Sequence, residues 1–182
     1  MILRASVALD AEAIARCVGR IAQEIAQHHA GIDNLALIGI IRRGANLADR
    51  IAAMLNENGG PLVPVGTLDI SSYRDDGKGI PGDPRLLGRH IPFSLDDRHV
   101  VLVDDVLYTG RTIRAALTAL AELGRPESVE LAVLIDRGER ELPIRADYLG
   151  WDRNMAASRG QRVYVRLSEV DGVDEVVIGD RQ

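Results

Sequence analysis

Val100-Val101-Leu102-Val103-Asp104-Asp105-Val106-Leu107-Tyr108-Thr109-Gly110-Arg111-Thr112 changes character twice within one short stretch. Its first four residues are apolar and predict a strand buried on both faces. Two adjacent carboxylates, Asp104 and Asp105, follow at the end of that strand. Tyr108 to Thr112 then forms a tight loop leading into a helix predicted over Arg111–Leu123, which stops at Gly124-Arg125-Pro126. Backbone N–H groups of such a loop, at a helix N-terminus, cradle an anion. Gly110 permits close backbone approach, and Thr109 and Thr112 add hydroxyl donors. The paired carboxylates can accept hydrogen bonds from a sugar diol, or hold Mg²⁺ directly or through water. The composite suits a molecule with a phosphate at one end and a ribose beside it. The segment is neither a GxxxxGK[ST] P-loop nor a GxGxxG dinucleotide fingerprint.

Outward from this stretch, strands and helices alternate. A helix is predicted over about Asp10–His29, with Asp10 as its cap and Ile14, Cys17, Val18, Ile21 and Ile25 at helical spacing. Leu35–Ile41 is a continuous apolar run followed at once by Arg42-Arg43-Gly44. A second helix reads from about Ala45 to Asn56, and a second strand over Leu62–Ile70. Val129–Ile135 is another buried strand, and Arg162–Leu167 and Val173–Ile178 read as β around the acidic turn Glu169-Val170-Asp171-Gly172. Residues 71–97 form the longest polar, Gly/Pro-rich stretch and are read as a lid loop. The order predicts one α/β domain over residues 1–182 with a central, mostly parallel sheet flanked by helices. Ligands in such sheets sit beyond the carboxyl ends of the strands.

Composition narrows the function classes. At 182 residues the chain builds a full core without staples. Net charge is −5, so a nucleic-acid contact has to use a local basic face. Cys17 is the only cysteine, which excludes an intrachain disulfide and any zinc site with two or four cysteines. The four histidines lack the spacing of a helical zinc-ligand pair. Aromatics are 3%, too few for a base-stacking platform. No apolar run approaches the roughly 20 residues that span a bilayer, and a cytoplasmic location is expected. Lys78 is the only lysine; arginine, the remaining cation, suits bidentate phosphate binding.

The run VDDVLYTGRT resembles a type I phosphoribosyltransferase. Asp69-Ile70-Ser71-Ser72-Tyr73-Arg74-Asp75-Asp76, Leu123-Gly124-Arg125-Pro126 and the block Asp136–Asp147 (DRGERELPIRAD) are similar to the PyrR family, and the resemblance covers nearly the whole chain. It implies a type I phosphoribosyltransferase fold with a small hood, about residues 136–160 plus the C-terminal tail, and a flexible lid. It implies two activities. One is uracil phosphoribosyltransferase, converting uracil and phosphoribosyl pyrophosphate (PRPP) to UMP and pyrophosphate with Mg²⁺. The other is regulation of a pyrimidine operon by binding leader mRNA in response to UMP or UTP. Family members are dimers or larger.

By the same resemblance, Asp104 and Asp105 bind the ribose hydroxyls and are candidates for Mg²⁺, while Tyr108, Thr109, Gly110, Arg111 and Thr112 form the 5′-phosphate loop. Arg42, Arg43 and Gly44 match the pyrophosphate loop, with Arg43 also catalytic. Ser72, Tyr73 and Arg74 sit on the lid. Asp136, Arg137, Tyr148 and Leu149 match the base-binding positions. Arg20, Arg140 and Arg145 match the RNA side. No general base is assigned, since Tyr108 stands where purine relatives carry an aspartate. The chain departs from the family at Gln23 and Glu139, where histidine is usual, and at the longer loop 150–158. Two other readings are an RNA-binding regulator with a vestigial nucleotide site and a purine phosphoribosyltransferase; Tyr108 and the block 136–147 argue against the latter.

Overall fold

A computed structural model describes residues 5–57, 62–71, 89–152 and 161–180. The elements are β1 (Ala5–Leu9), α1 (Ala11–His28), a 3₁₀ turn (Ile32–Asn34), β2 (Leu35–Ile40), α2 (Arg43–Asn56), β3 (Val65–Leu68), β4 (Arg89–His90), β5 (His99–Leu107), α3 (Arg111–Ala121), β6 (Ser128–Asp136), β7 (Tyr148–Asp152), β8 (Gln161–Arg166), α4 (Ser168–Asp171) and β9 (Glu175–Asp180). The main sheet has the order β4-β3-β2-β5-β6-β7. Its neighbours are parallel except for the β3–β4 pair. Alternation along each strand feeds two cores. Leu37, Val101 and Leu134 face α1 and α2, and Ile38, Leu102 and Val133 face α3. The continuous apolar runs are thus strands covered on both sides.

Local chemistry sets the helix starts. Asp10 caps α1, its side chain accepting from the Ala13 amide at 2.8 Å. Helix α2 has no side-chain cap and begins at Arg43, two residues before the sequence reading. Its first turn lies directly on the sheet. A Cβ on Gly44 would stand 2.4 Å from the Val103 carbonyl oxygen, and one on Gly39 would stand 2.3 Å from the Ala45 Cα.

Three expectations are corrected. Strand β5 runs on to Leu107, so Asp104 and Asp105 lie within it rather than beyond its end. Its pairing with β6 continues to Leu107 opposite Asp136, whereas its pairing with β2 stops at Val103 opposite Gly39. The hood is built differently from the predicted 136–160 plus tail: Tyr148–Asp152 joins the main sheet as β7, and the tail strands pair with the unforeseen β1 in a small antiparallel sheet, β1-β9-β8. Of the expected lid, residues 72–88, including Ser72, Tyr73 and Arg74, lie outside the described residues. Its last part belongs to the body, with Leu95 buried in the α3-side core.

The small sheet is fastened to α2. Arg50 pairs with Glu169 at 2.7 Å and Asp174 at 2.8 Å. Val165, Leu167 and Val176 pack into the α1/α2-side core. Among the described residues no helix is long and apolar enough to cross a membrane.

Candidate active site

The register places the carboxyl ends of β2, β3 and β5 around a cavity of about 350 Å³. Arg42, Arg43, Asp69, Ser71, Asp104, Asp105 and Thr112 line it. The structure therefore brings together, from three separate segments, the expected ribose acids, the two arginines and one end of the expected phosphate loop. The Ile41–Arg42 peptide at its edge is cis. Asp69 and Ser71, which the sequence reading quoted within the run 69–76 but gave no site role, are joined by a hydrogen bond from the Ser71 amide to Asp69 Oδ1 at 2.9 Å.

Asp104 is buried, 6% exposed, and its Oδ1 accepts from the Asp105 amide at 2.9 Å. Asp105 Oδ1 accepts from the Val106 amide at 2.9 Å. Burial, and then the neighbouring Asp105 carboxylate, hold Asp104 well above the usual carboxylate range. Burial also raises Asp105, against the opposing pull of Arg43. Among the described residues neither acid has a cation at ion-pair distance. Arg43 instead grips Asp171 of α4 with both Nε and a terminal nitrogen, at 3.1 and 2.8 Å. That hydrogen bonding raises the Arg43 pKa and holds the Asp171 carboxyl below its usual value. Asp171 was visible in the sequence only as part of an acidic turn; no local pattern announced its partner 128 positions away.

The loop Tyr108–Thr112 is held from behind by the block 136–147. Gly110 takes φ +91 as the residue before α3, and a Cβ there would meet Leu142 and Ile144 at 3.4 Å. The amides of Glu141 and Leu142 both donate to the Thr109 carbonyl, at 3.0 and 3.2 Å. The α3 ladder starts with the Arg114 amide on the Gly110 carbonyl at 2.9 Å, so the amides ahead of it lie at the positive end of the helix. Arg111 is exposed and pairs with Glu141 at 2.6 Å.

The remaining predicted residues separate. Arg137 stacks over the Tyr108 ring, 3.9 Å from its centroid, and its amide donates to the Leu107 carbonyl at 2.9 Å. The Asp136 carboxylate is buried and already taken, accepting from the Gly138 amide at 2.8 Å and from Arg140. Tyr148 is not at the cavity. It is 4% exposed, lies opposite Ala132 well short of the strand's carboxyl end, and donates to Glu130 at 2.5 Å. Burial and the Glu130 carboxylate push its phenol up. Leu149 packs with the α3-side core. The expected stacking role for Tyr148 fails because its ring belongs to the core beneath α1.

The three arginines expected on an RNA-facing side also differ. Arg145 is exposed. Arg20 is half exposed and donates to the carbonyls of Leu149 and Gly150. Arg140 turns inward, against expectation: it binds Asp136 and donates to the carbonyls of Tyr108 at 2.7 Å and Ile144 at 2.8 Å. Its guanidinium is consumed as a brace behind the loop 108–112.

A phosphoribosyl transferase domain model matches residues 7–159. The chain is 59% identical over 172 residues to the bifunctional protein PyrR of Roseiflexus sp. strain RS-1, covering 93% of this chain and 92% of that one. Against the bifunctional protein PyrR of Deinococcus radiodurans it is 52% identical over 172 residues, with 94% and 93% covered. Among solved structures, the hypoxanthine phosphoribosyltransferase of Trypanosoma cruzi superposes with a TM-score of 0.72 at 19% identity, covering 97% of both chains. At that identity the match speaks for the fold, a central parallel sheet flanked by helices of the type I phosphoribosyltransferase kind. With the family model spanning most of the sequence and PyrR relatives above half identity, the chain belongs to the phosphoribosyl transferase domain family, in its PyrR branch.

Proposed function

We propose that this chain transfers a phosphoribosyl group from PRPP to uracil and also regulates a pyrimidine operon by binding leader mRNA in a uridine-nucleotide-dependent way. The observation that carries the enzymatic half is the convergence of Asp104, Asp105, Arg42, Arg43 and the N-terminal turn of α3 on one cavity. In this reading Asp104 and Asp105 accept hydrogen bonds from the ribose 2′- and 3′-hydroxyls, which holds the anomeric carbon in place. The amides of Gly110 to Thr112 take the 5′-phosphate. Arg42 and Arg43 receive the pyrophosphate. Uracil N1 attacks the anomeric carbon as the bond to pyrophosphate oxygen breaks, and the N1 proton passes to solvent. Positive charge builds on the ribose in the transition state, and negative charge on the Asp104–Asp105 pair stabilises it.

Adjacent carboxylates, Asp104 buried and Asp105 partly buried, with no ion pair among the described residues, are also a donor set suited to a hard divalent cation. Mg²⁺, arriving with PRPP, would be held by Asp104 and Asp105 and would neutralise charge on the leaving pyrophosphate. Arg137, stacked on Tyr108, flanks the base.

The regulatory half is supported by the PyrR relatives and by exposed Arg145 and half-exposed Arg20. A cytoplasmic homo-oligomer, dimeric or larger, goes with this reading. The deciding experiment is an Mg²⁺-dependent assay with PRPP, offering uracil, hypoxanthine, guanine and xanthine in parallel. Selective UMP formation supports the enzyme. A purine product overturns the base assignment, and no product from any base leaves a nucleotide-sensing site.

A further inference from the structure

Away from the cavity just described, at the amino end of the main sheet, three of the four histidines gather. His28 is the last residue of α1 and His29 its C-cap. Both face Glu130 of β6, with His29 Nε2 2.9 Å from one carboxylate oxygen and His28 Nε2 3.6 Å from the other. His99 stands beside them, its ring centroid 5.2 Å from that of His29. We propose that His28, His29 and Glu130 bind a divalent transition-metal ion of the zinc class.

The geometry fits such an ion. One ligand atom from each of the three residues lies within 4.8 Å of the other two. A tetrahedral centre with bonds of about 2.0–2.1 Å needs ligand atoms roughly 3.4 Å apart, so small side-chain rotations close the set. Two imidazoles and one carboxylate select zinc, cobalt or nickel over magnesium, which prefers oxygen ligands. The carboxylate is already oriented, because Tyr148 donates to Glu130 Oε2 at 2.5 Å, the outer support usual for a metal-bound acid. The negative end of the α1 dipole also favours a cation here. An adjoining cavity of about 640 Å³, which Asp33 and Ser128 also line, leaves room for water as the fourth ligand.

The site is separate from the nucleotide chemistry. Its ligand Glu130 is opposite Val101, so Asp104 and Asp105 are three and four residues further along β5, roughly 10–13 Å at about 3.3 Å per residue. Adjacency hid it in the sequence: His28 and His29 follow one another, and the third ligand comes from 101 positions further on.

The test uses tag-free full-length chain. Zn²⁺ is titrated by calorimetry, and Co²⁺ is added separately to read the visible absorption of a tetrahedral site. One ion per chain is expected, with affinity at least tenfold weaker in His28→Ala and in Glu130→Gln and unchanged in Cys17→Ser. His28 is largely exposed, so its variant folds, and circular dichroism verifies this for both. No binding to the wild type at 100 µM ion, undiminished binding in His28→Ala, or loss in Cys17→Ser overturns the assignment.

Discussion

Asp104 and Asp105 occupy a buried strand end without a neutralising partner among the described residues, and burial lifts both above the ordinary value of 3.8. The folded chain therefore keeps protons there that the unfolded chain has already released. The stability this gives is complete at acid pH and is lost as pH rises through the folded-state values. At neutral pH the pair costs stability, and ligand binding offsets that cost. The double variant Asp104→Asn, Asp105→Asn should consequently melt higher than wild type at pH 8, with the gap shrinking towards pH 4, while kcat/KM for transfer falls by roughly 100-fold or more. Calorimetry at the two pH values, together with the UMP assay, checks both halves; an unchanged melting point at pH 8 would contradict the desolvation argument. The position of these two residues at the cavity was legible in the sequence, because an apolar run followed by Asp-Asp and a Gly loop leaves few alternatives. Gly44 was legible only in part. Read as a ligand-facing loop residue, it proves to be where α2 touches β5, a contact visible only once the Val103 carbonyl is in place.

At the scale of elements, the block 136–147 and the loop 108–112 form one unit. Arg140 joins them through Asp136 and the carbonyls of Tyr108 and Ile144. Removing one side of a mostly buried ion pair strands the other, at about 3 kcal/mol. Arg140→Ala should therefore lower the melting temperature and raise the KM for PRPP about tenfold or more, whereas Arg145→Ala should leave both unchanged and weaken RNA binding alone. Steady-state kinetics and filter binding on the two single variants separate these outcomes. From sequence alone both arginines read as one surface patch, since two positions in an irregular segment carry no periodicity to tell inside from outside. Strands β2, β5 and β6 and helix α1 were legible because continuous apolar runs and a capped 3.6-residue period have single interpretations. Strand β1 was not: it is short, Val7 is 59% exposed, and its pairing partner lies at the other end of the chain.

For the molecule as a whole, the small sheet is attached to α2 through arginine-to-acid contacts as well as apolar ones. Hydrogen bonds from Arg50 hold Glu169 and Asp174 below their usual values, and those from Arg43 do the same for Asp171. The stability from these acids is present at neutral pH and is lost as pH falls through their depressed values. Arg50→Ala should cost about 1–2 kcal/mol, and less at high salt, because the groups are partly exposed. Hydrogen exchange should quicken over 161–180 and stay slow in β2 and β5; uniform acceleration across the chain would show instead that Arg50 supports the main sheet. No sequence pattern links Arg50 to acids over 100 positions away, so this fastening had to come from the structure.

Strand β5 outruns β2 on one flank while keeping step with β6 on the other. The molecule thus has a notch in the middle of its sheet, an interior edge where one ladder of hydrogen bonds stops early. The cavity is that notch. A longer β2, continuing its pairing by two residues, would draw Ile41 and Arg42 out of the lining and fill the opening with backbone.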